Sequence, residues 1–443
     1  MLCIAIVLFL LLPLAMAFAV GEKEKAQIKL AHFYDPMGGG ALKANYDWFQ
    51  KLIADFEKTN PDLKIEQELF QWDQIDVKSM SDHRAGIEDH DIFLSSPQLM
   101  AQHALVGDFA DLSPFVEAAW SKADLKDFSW AAPWKKAVIN GEMLGIPLGA
   151  HTRTVAYNRE MFEEAGLDPD RPPRNLEETV RFAQKLTRDT DGDGKTDIYG
   201  LGMFYGPSRA TIELFFAPIV WDQGGKLWDP QTKRASFADQ AGIKSAQFAR
   251  DLIHKYKVTP EASVTGTYDE VIFRDFLDGR IAMAWGWGSY WIQPLEEKGW
   301  IKGLFPPTAG GKVGVADVAL TPTGPQAQFT NAWFVSIYKK SKNQDAAWKF
   351  VNTMLKPEYL WDFPDAGLPI RASLWDTPEM QTPFYKVWKE AVEKGKPMPP
   401  TAHYGELADT VAAALQEILV KDADVAETLK KAQDEYNAQY GGE

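Results

Sequence analysis

Residues 146–167 read IPLGAHTRTVAYNREMFEEAGL. Within them, Thr154-Val155-Ala156-Tyr157 is a short run of β-branched and aromatic residues, which predicts a strand. Asn158 is a helix-opening residue, a short helix follows to Ala165, and Gly166 closes it. A strand that runs directly into a helix is the repeating unit of an α/β layer. This unit starts near Arg153, and the chain on its N-terminal side already holds the elements of another.

In that earlier part, Ile28-Lys29-Leu30-Ala31-His32-Phe33 predicts a buried strand. A Gly38-Gly39-Gly40 loop leads to a helix with Tyr46, Phe49, Ile53 and Phe56 on one face, and Asn60-Pro61 stops it. Leu63, Ile65 and Leu69 alternate with Lys64, Glu66 and Glu68, as a half-buried strand does. Asp91-Ile92-Phe93-Leu94 is a third. Strand, helix, strand and strand again is the order of an α/β domain with a largely parallel sheet.

Beyond Leu167, Pro169 to Pro173 is a loop. Asn175 with Glu178 has the spacing of a capping box, and Val180, Ala183 and Leu186 give the apolar face of the next helix. Asn331 to Tyr338 is strand-like, and Asp345 to Leu355 is amphipathic. Leu407, Val411, Leu415 and Ile418 recur at helical spacing, and Asp424 with Glu427 opens a last helix. No long Ser/Gly-rich linker and no internal repeat divides the chain, whose length suggests two domains.

The N-terminus carries an apolar run from Ile4 to Leu12, broken by Pro13, then Ala15, Ala17 and Ala19. That pattern predicts a signal peptide, residues 1–19, cut after Ala19, although no Lys or Arg precedes the run. The expected location is periplasmic or otherwise extracytoplasmic. Cys3 is the one cysteine, so the mature chain is expected to be soluble and without disulfides or thiol chemistry. The net charge of −15 argues against nucleic acid and anionic membranes as partners.

Five segments, in order, resemble the extracellular solute-binding proteins of ABC transporters, in the carbohydrate-binding group that includes maltose-binding protein. They are WFQKLIADFEKTNPDLKIE (Trp48 to Glu66), DIF (Asp91 to Phe93), residues 146–167, FLDGRIAMAWGWGSYW (Phe276 to Trp291) and NAWFVSIYKKSKNQDAAWKFV (Asn331 to Val351). The resemblance implies a two-lobed periplasmic-binding-protein fold of α/β class, each lobe a mostly parallel sheet flanked by helices, joined by a three-segment hinge. One lobe would be 26–150 with 286–341, the other 151–285 with 342–443. A ligand held between them would favour the closed form. The implied function is capture of a sugar, oligosaccharide or polyol for the membrane permease subunits of an ABC import system, by a monomer that needs no cofactor.

The candidate ligand contacts start with Trp285, Trp287, Tyr290 and Trp291. Sugar C–H faces stack on aromatic rings, and the glycines of Trp-Gly-Trp-Gly let a ligand approach the backbone; packing in the core is the competing role. Tyr34 and Asp35, Gln71 and Trp72, and Ser95 and Ser96 follow strands, at the ends where open α/β sheets bind ligands. Each is also an ordinary loop residue. His151 and Arg153 lie at the first crossover, where the arginine would suit a carboxylate or phosphate or form an ion pair of the hinge. Phe215, with Phe216 and Trp221, falls in a segment resembling the second lobe's aromatic wall, and core packing competes there too.

Asp189, Asp191, Asp193 and Asp197, with Gly194, have the spacing of a calcium loop, but Gly200 stands where the bidentate Glu of an EF-hand would be. A solvated acidic turn is the other reading. No H-E-x-x-H, G-x-S-x-G or P-loop is present. The alternatives to an import receptor are an exported carbohydrate-cleaving enzyme and a ligand-binding subunit for a membrane sensor.

Overall fold

The computed structural model describes residues 25–37, 41–71, 74–128, 138–289, 295, 298–300, 312–316, 328–363, 368–381 and 383–442. The expected signal peptide, Trp72, Tyr290 and Trp291 lie outside them.

Two sheets organise the chain. In the first, β1 (Ala26–His32) pairs in parallel with β2 (Leu63–Leu69) along its whole length and with β3 (Ile92–Ser95) at Leu30 and Ala31. Between β1 and β2 runs α1 (Ala41–Thr59), which buries Trp48, Phe49, Leu52, Ile53 and Phe56 at helical spacing. Asn60 ends it by donating from Nδ2 to the Phe56 carbonyl at 2.8 Å. The sheet then changes direction. Its other two strands, β8 (Phe334–Ile337) and β4 (Ile146–Pro147), join antiparallel, in the order β2-β1-β3-β8-β4.

The second sheet centres on β5 (Arg153–Asn158), which runs on into α2 (Arg159–Glu164), with β6 (Met283–Gly288) on one side and β7 (Val313–Ala316) on the other, both antiparallel. Single parallel bridges, Tyr199 to Ile281 and Gly202 to Ala284, extend it. A side chain at Gly200 would put its Cβ 2.0 Å from the Ala183 carbonyl oxygen, so glycine permits this approach of α3 (Leu176–Leu186). The sheets are therefore mixed, where the sequence suggested mostly parallel ones. Strand direction depends on how the chain returns from the other layer, which no local residue encodes.

The segments divide differently from the expected boundaries. Gly286, Gly288 and Val313–Ala316 belong to the second sheet, not the first. Conversely α4 (Gln344–Met354) lies against the first, with Phe350 5.1 Å from Phe56 and the Trp120 indole donating to Asn352 at 2.8 Å. Arg371 also stays there, 2.8 Å from Asp127. The last helices, α5 (Tyr404–Lys421) and α6 (Val425–Tyr440), pack with other parts of the second layer: Gln416 donates to the Tyr205 carbonyl, and Asn437 pairs with both backbone groups of Ala235 in the small hairpin Trp228–Asp229/Arg234–Ala235.

Three stretches cross between the layers side by side. His151 and Asn331 exchange backbone hydrogen bonds of 2.8 and 2.7 Å, and the Thr330 amide donates to the Lys396 carbonyl at 3.1 Å. No helix among the described residues is long and apolar enough to cross a membrane.

Candidate functional site

A cavity of about 430 Å³ opens where these crossings meet the two layers. The first layer contributes Phe33, Tyr34, Leu42, Asn45, Ser96 and Gln98; the second contributes Ser208, Arg209, Ala210, Glu213, Leu214, Thr267, Tyr268 and Asp269. His151, Arg153, Phe329, Asn331 and Trp333 form the floor from the crossing stretches. The size is within the range of small-molecule sites.

Strand ends place the first wall. Phe33 and Tyr34 follow β1, and Ser96 and Gln98 follow β3, at the carboxyl edge of the parallel part of the sheet. Trp333 lies with its ring centroid 4.5 Å from that of Phe33. Ser96 donates from its amide and its hydroxyl to Asp76, at 3.0 and 2.6 Å. Asp76 in turn faces His103 Nε2 at 2.9 Å, and His103 Nδ1 faces Asp108 at 2.9 Å. A buried imidazole between two carboxylates thus anchors the loop behind Ser96. Desolvation works against its charge, but the hydrogen bonds and charges of Asp108 and Asp76 together lift its pKa to about 9.

Helix starts place the second wall. The helical stretch 209–222 contains one π segment, Thr211–Phe216, and Glu213 stands on it. Its Oε1 accepts from the Tyr404 hydroxyl at 2.6 Å and from Gln98 Nε2 at 3.3 Å. Burial pushes the Glu213 carboxyl above its usual range, against the pull of Arg209, Tyr404, Arg153 and Gln98. Thr267 and Glu270 form a reciprocal capping box, which fixes the start of the helix that carries Tyr268 and Asp269. The Asp269 carboxyl is likewise raised by burial. Arg153 Nη1 donates to the Thr152 carbonyl at 3.1 Å.

The model of bacterial extracellular solute-binding proteins matches residues 39–360. The chain belongs to that family.

Among the relatives of this solute-binding protein is the erythritol/L-threitol-binding protein of Mycolicibacterium smegmatis, 22% identical over 409 residues, covering 83% of this chain and 79% of that one. Maltose-bound MalE3 of T. maritima shares its fold with a TM-score of 0.76, at 21% identity, over 93% of this chain and 99% of the other. A solute-binding protein of Agrobacterium radiobacter K84 in complex with ribitol does so with a TM-score of 0.72, at 21% identity, over 93% and 98%.

Of the residues singled out in the sequence of this solute-binding protein, Tyr34, Ser96, His151 and Arg153 line the cavity. Asp35 and Gln71 line an adjoining cavity of about 400 Å³ that shares Phe33 and Leu42 with the first. Ser95 points into the sheet, 2.9 Å from Ser336 Oγ. Trp285, Trp287 and Phe215, expected as ligand contacts with core packing as the competing role, are all fully buried and are not among the residues that line this cavity. Trp287 packs 5.0 Å from Phe276 and 5.8 Å from Phe273. Gly286, with φ of 81°, forms a bulge against β5 and lies under the Phe215 ring, so the glycine serves backbone packing. Phe216 and Trp221 are buried too.

Asp189, Asp191 and Asp197 bring carboxylate oxygens within 4.8 Å of one another, and Asp193 is not part of that group. Loop amides already donate to Asp189, from Gly192 at 2.6 Å and Gly194 at 2.8 Å. Sequence reading missed Asn45, Gln98, Arg209, Glu213, Tyr268, Asp269, Asn331 and Trp333. For Glu213 a signal existed: it is a lone carboxylate in the apolar run Thr211 to Trp221, and glutamate is rarely buried without a reason.

Proposed function

We propose that this protein captures a sugar- or polyol-like solute in the cavity and delivers it, chemically unchanged, to the membrane permease of an ABC import system, acting as a monomer. The supporting observation is the wall itself. Aromatic faces from Phe33, Tyr34, Tyr268, Phe329 and Trp333 surround the same space as the planar polar groups of Asn45, Gln98, Asn331, Arg153, Arg209, Glu213 and Asp269. A polyhydroxylated solute needs both: rings for its C–H faces and paired donors and acceptors for its hydroxyls. The named ligands of the relatives, erythritol or L-threitol, ribitol and maltose, are all of that class.

Because the wall draws on both layers and the crossings, a solute touching all of them binds the closed arrangement better and shifts the molecule toward it. A thermal-shift screen of the purified protein against sugars, polyols and short oligosaccharides tests the reading. At least one member should raise the melting temperature in proportion to the logarithm of its concentration and be recovered intact. A panel that leaves the melting temperature unmoved, or a ligand returned cleaved, contradicts it.

A further inference from the structure

Behind the first wall of the cavity, three side chains form one buried chain of hydrogen bonds. Asp76 lies in the first turn of the helix Ile75–Ala85, His103 in the helix Met100–Val106, and Asp108 just beyond it. His103 Nδ1 faces Asp108 Oδ2 at 2.9 Å, and its Nε2 faces Asp76 Oδ1 at 2.9 Å. Ser79 Oγ donates to Asp108 Oδ2 at 2.8 Å, and the Lys339 amide donates to the Asp108 carbonyl at 2.7 Å, which ties the chain to two further segments. Both ring nitrogens of His103 meet acidic oxygens, so the ring donates from both, as an imidazolium does. Asp76 stands opposite that charge as a carboxylate, which can only accept.

The chain ends on Ser96, which lines the cavity. Its amide donates to Asp76 Oδ1 at 3.0 Å and its hydroxyl to Asp76 Oδ2 at 2.6 Å. A serine hydroxyl has one proton and two lone pairs. The proton is committed to Asp76, and among the described residues nothing donates to Ser96 Oγ. We infer that Ser96 is a specificity-determining residue held as a pure acceptor, that Asp76 is the residue positioning it, and that the solute must bring an O–H donor to this point. A group of similar size that only accepts, such as fluorine or an ether oxygen, would set lone pair against lone pair and leave Ser96 Oγ unpaired. This assignment rests on the sugar-or-polyol reading of the cavity.

Calorimetric titration of maltose, ribitol and erythritol tests it, each beside its analogues with one hydroxyl replaced by fluorine. For a parent that binds, fluorine at one position should weaken binding about tenfold or more, equivalent to about 1.4 kcal/mol. Ser96→Ala should reduce that penalty to about threefold or less at that position and leave the other positions as they were. Ser96→Thr, which keeps the hydroxyl, should retain it. In Asp76→Asn the amide can donate to Ser96 Oγ and free its proton, so the penalty should fall at the same position. A merely structural role for Asp76 would instead weaken the parent and its fluorinated analogues alike. Should Asp76→Asn fail to fold, the two Ser96 variants still decide the acceptor role. A fluorine penalty that Ser96→Ala leaves unchanged at every position, or no penalty at any position, overturns the acceptor assignment alone. Failure of all three parents to bind overturns the sugar-or-polyol reading with it.

Discussion

Gln98 Nε2 lies 3.3 Å from Glu213 Oε1, so the loop after β3 and the helical stretch 209–222 meet across the cavity through one amide–carboxylate contact. The contact ties the ionisation of Glu213 to the relation between the two walls.

Burial raises the Glu213 carboxyl above its ordinary range, despite Arg209, Tyr404, Arg153 and Gln98. The folded protein thus holds this proton more tightly than the unfolded chain does. The resulting stability is fully present below the ordinary carboxylate pKa and is lost as pH rises through the raised value. Glu213→Gln keeps the shape and removes the charge. Its melting temperature should exceed that of the unmodified protein at pH 7, and the gap should close by about pH 4. Calorimetric scans of both proteins check this; a variant that melts lower at pH 7 contradicts it.

Two of the buried histidines of the first layer, His103 and His32, should act on opposite limbs of the stability profile. His103, lifted to about 9, contributes stability that is complete below the unfolded value of about 6.5 and lost as pH rises through about 9. His32 is lowered by burial to about 4, with the Gln67 hydrogen bond acting the other way. Its contribution is complete above about 6.5 and lost as pH falls through about 4. His103→Gln should flatten the alkaline limb and His32→Gln the acid limb, measured as melting temperature between pH 4 and 10. An alkaline limb unchanged in His103→Gln would refute the buried imidazolium.

Trp287→Ala should damage folding rather than recognition. The ring is fully buried against Phe276 and Phe273, so its loss leaves a cavity worth about 3–5 kcal/mol of stability. Denaturant melts measure that cost, and titration of the folded fraction should find affinity within about threefold, or about 0.7 kcal/mol. A stable variant that no longer binds would return Trp287 to the site.

Gly286→Ala should be costly for two reasons. The residue has φ of 81°, and a Cβ there would sit 3.0 Å from the Phe215 ring. A loss of about 1–3 kcal/mol in a denaturant melt is expected. An unchanged melt would mean that the bulge relaxes without strain.

The parts legible in the sequence were those governed by local chemistry. Asn175, Asn158 and Asp424 do cap their helices, accepting from Glu178, from Glu160 and Met161, and from Glu427. The apolar face of α1 was visible in its spacing. What escaped depends on distant parts of the chain. β8 reverses direction beside β3 because it returns from the second layer, and Val313–Ala316, expected in the first lobe, joins β5 of the second with no local signal to announce it. The site escaped for the same reason. Asn45, Glu213 and Asn331 share no motif and meet only once both layers and the crossings are in place. The Trp-Gly-Trp-Gly run misled because glycine serves a bulge as readily as a ligand.

Calorimetric titration of the Asn331→Ala/Trp333→Ala double variant, beside the unmodified protein and with whichever sugar or polyol the thermal screen identifies, tests the cavity most directly. Both residues stand on the cavity floor, neither is fully buried, and circular dichroism can verify the fold of the variant. The account predicts one site per chain in the unmodified protein and an affinity lower by about tenfold or more in the variant. Equal affinity in a natively folded variant would place the ligand elsewhere and contradict it.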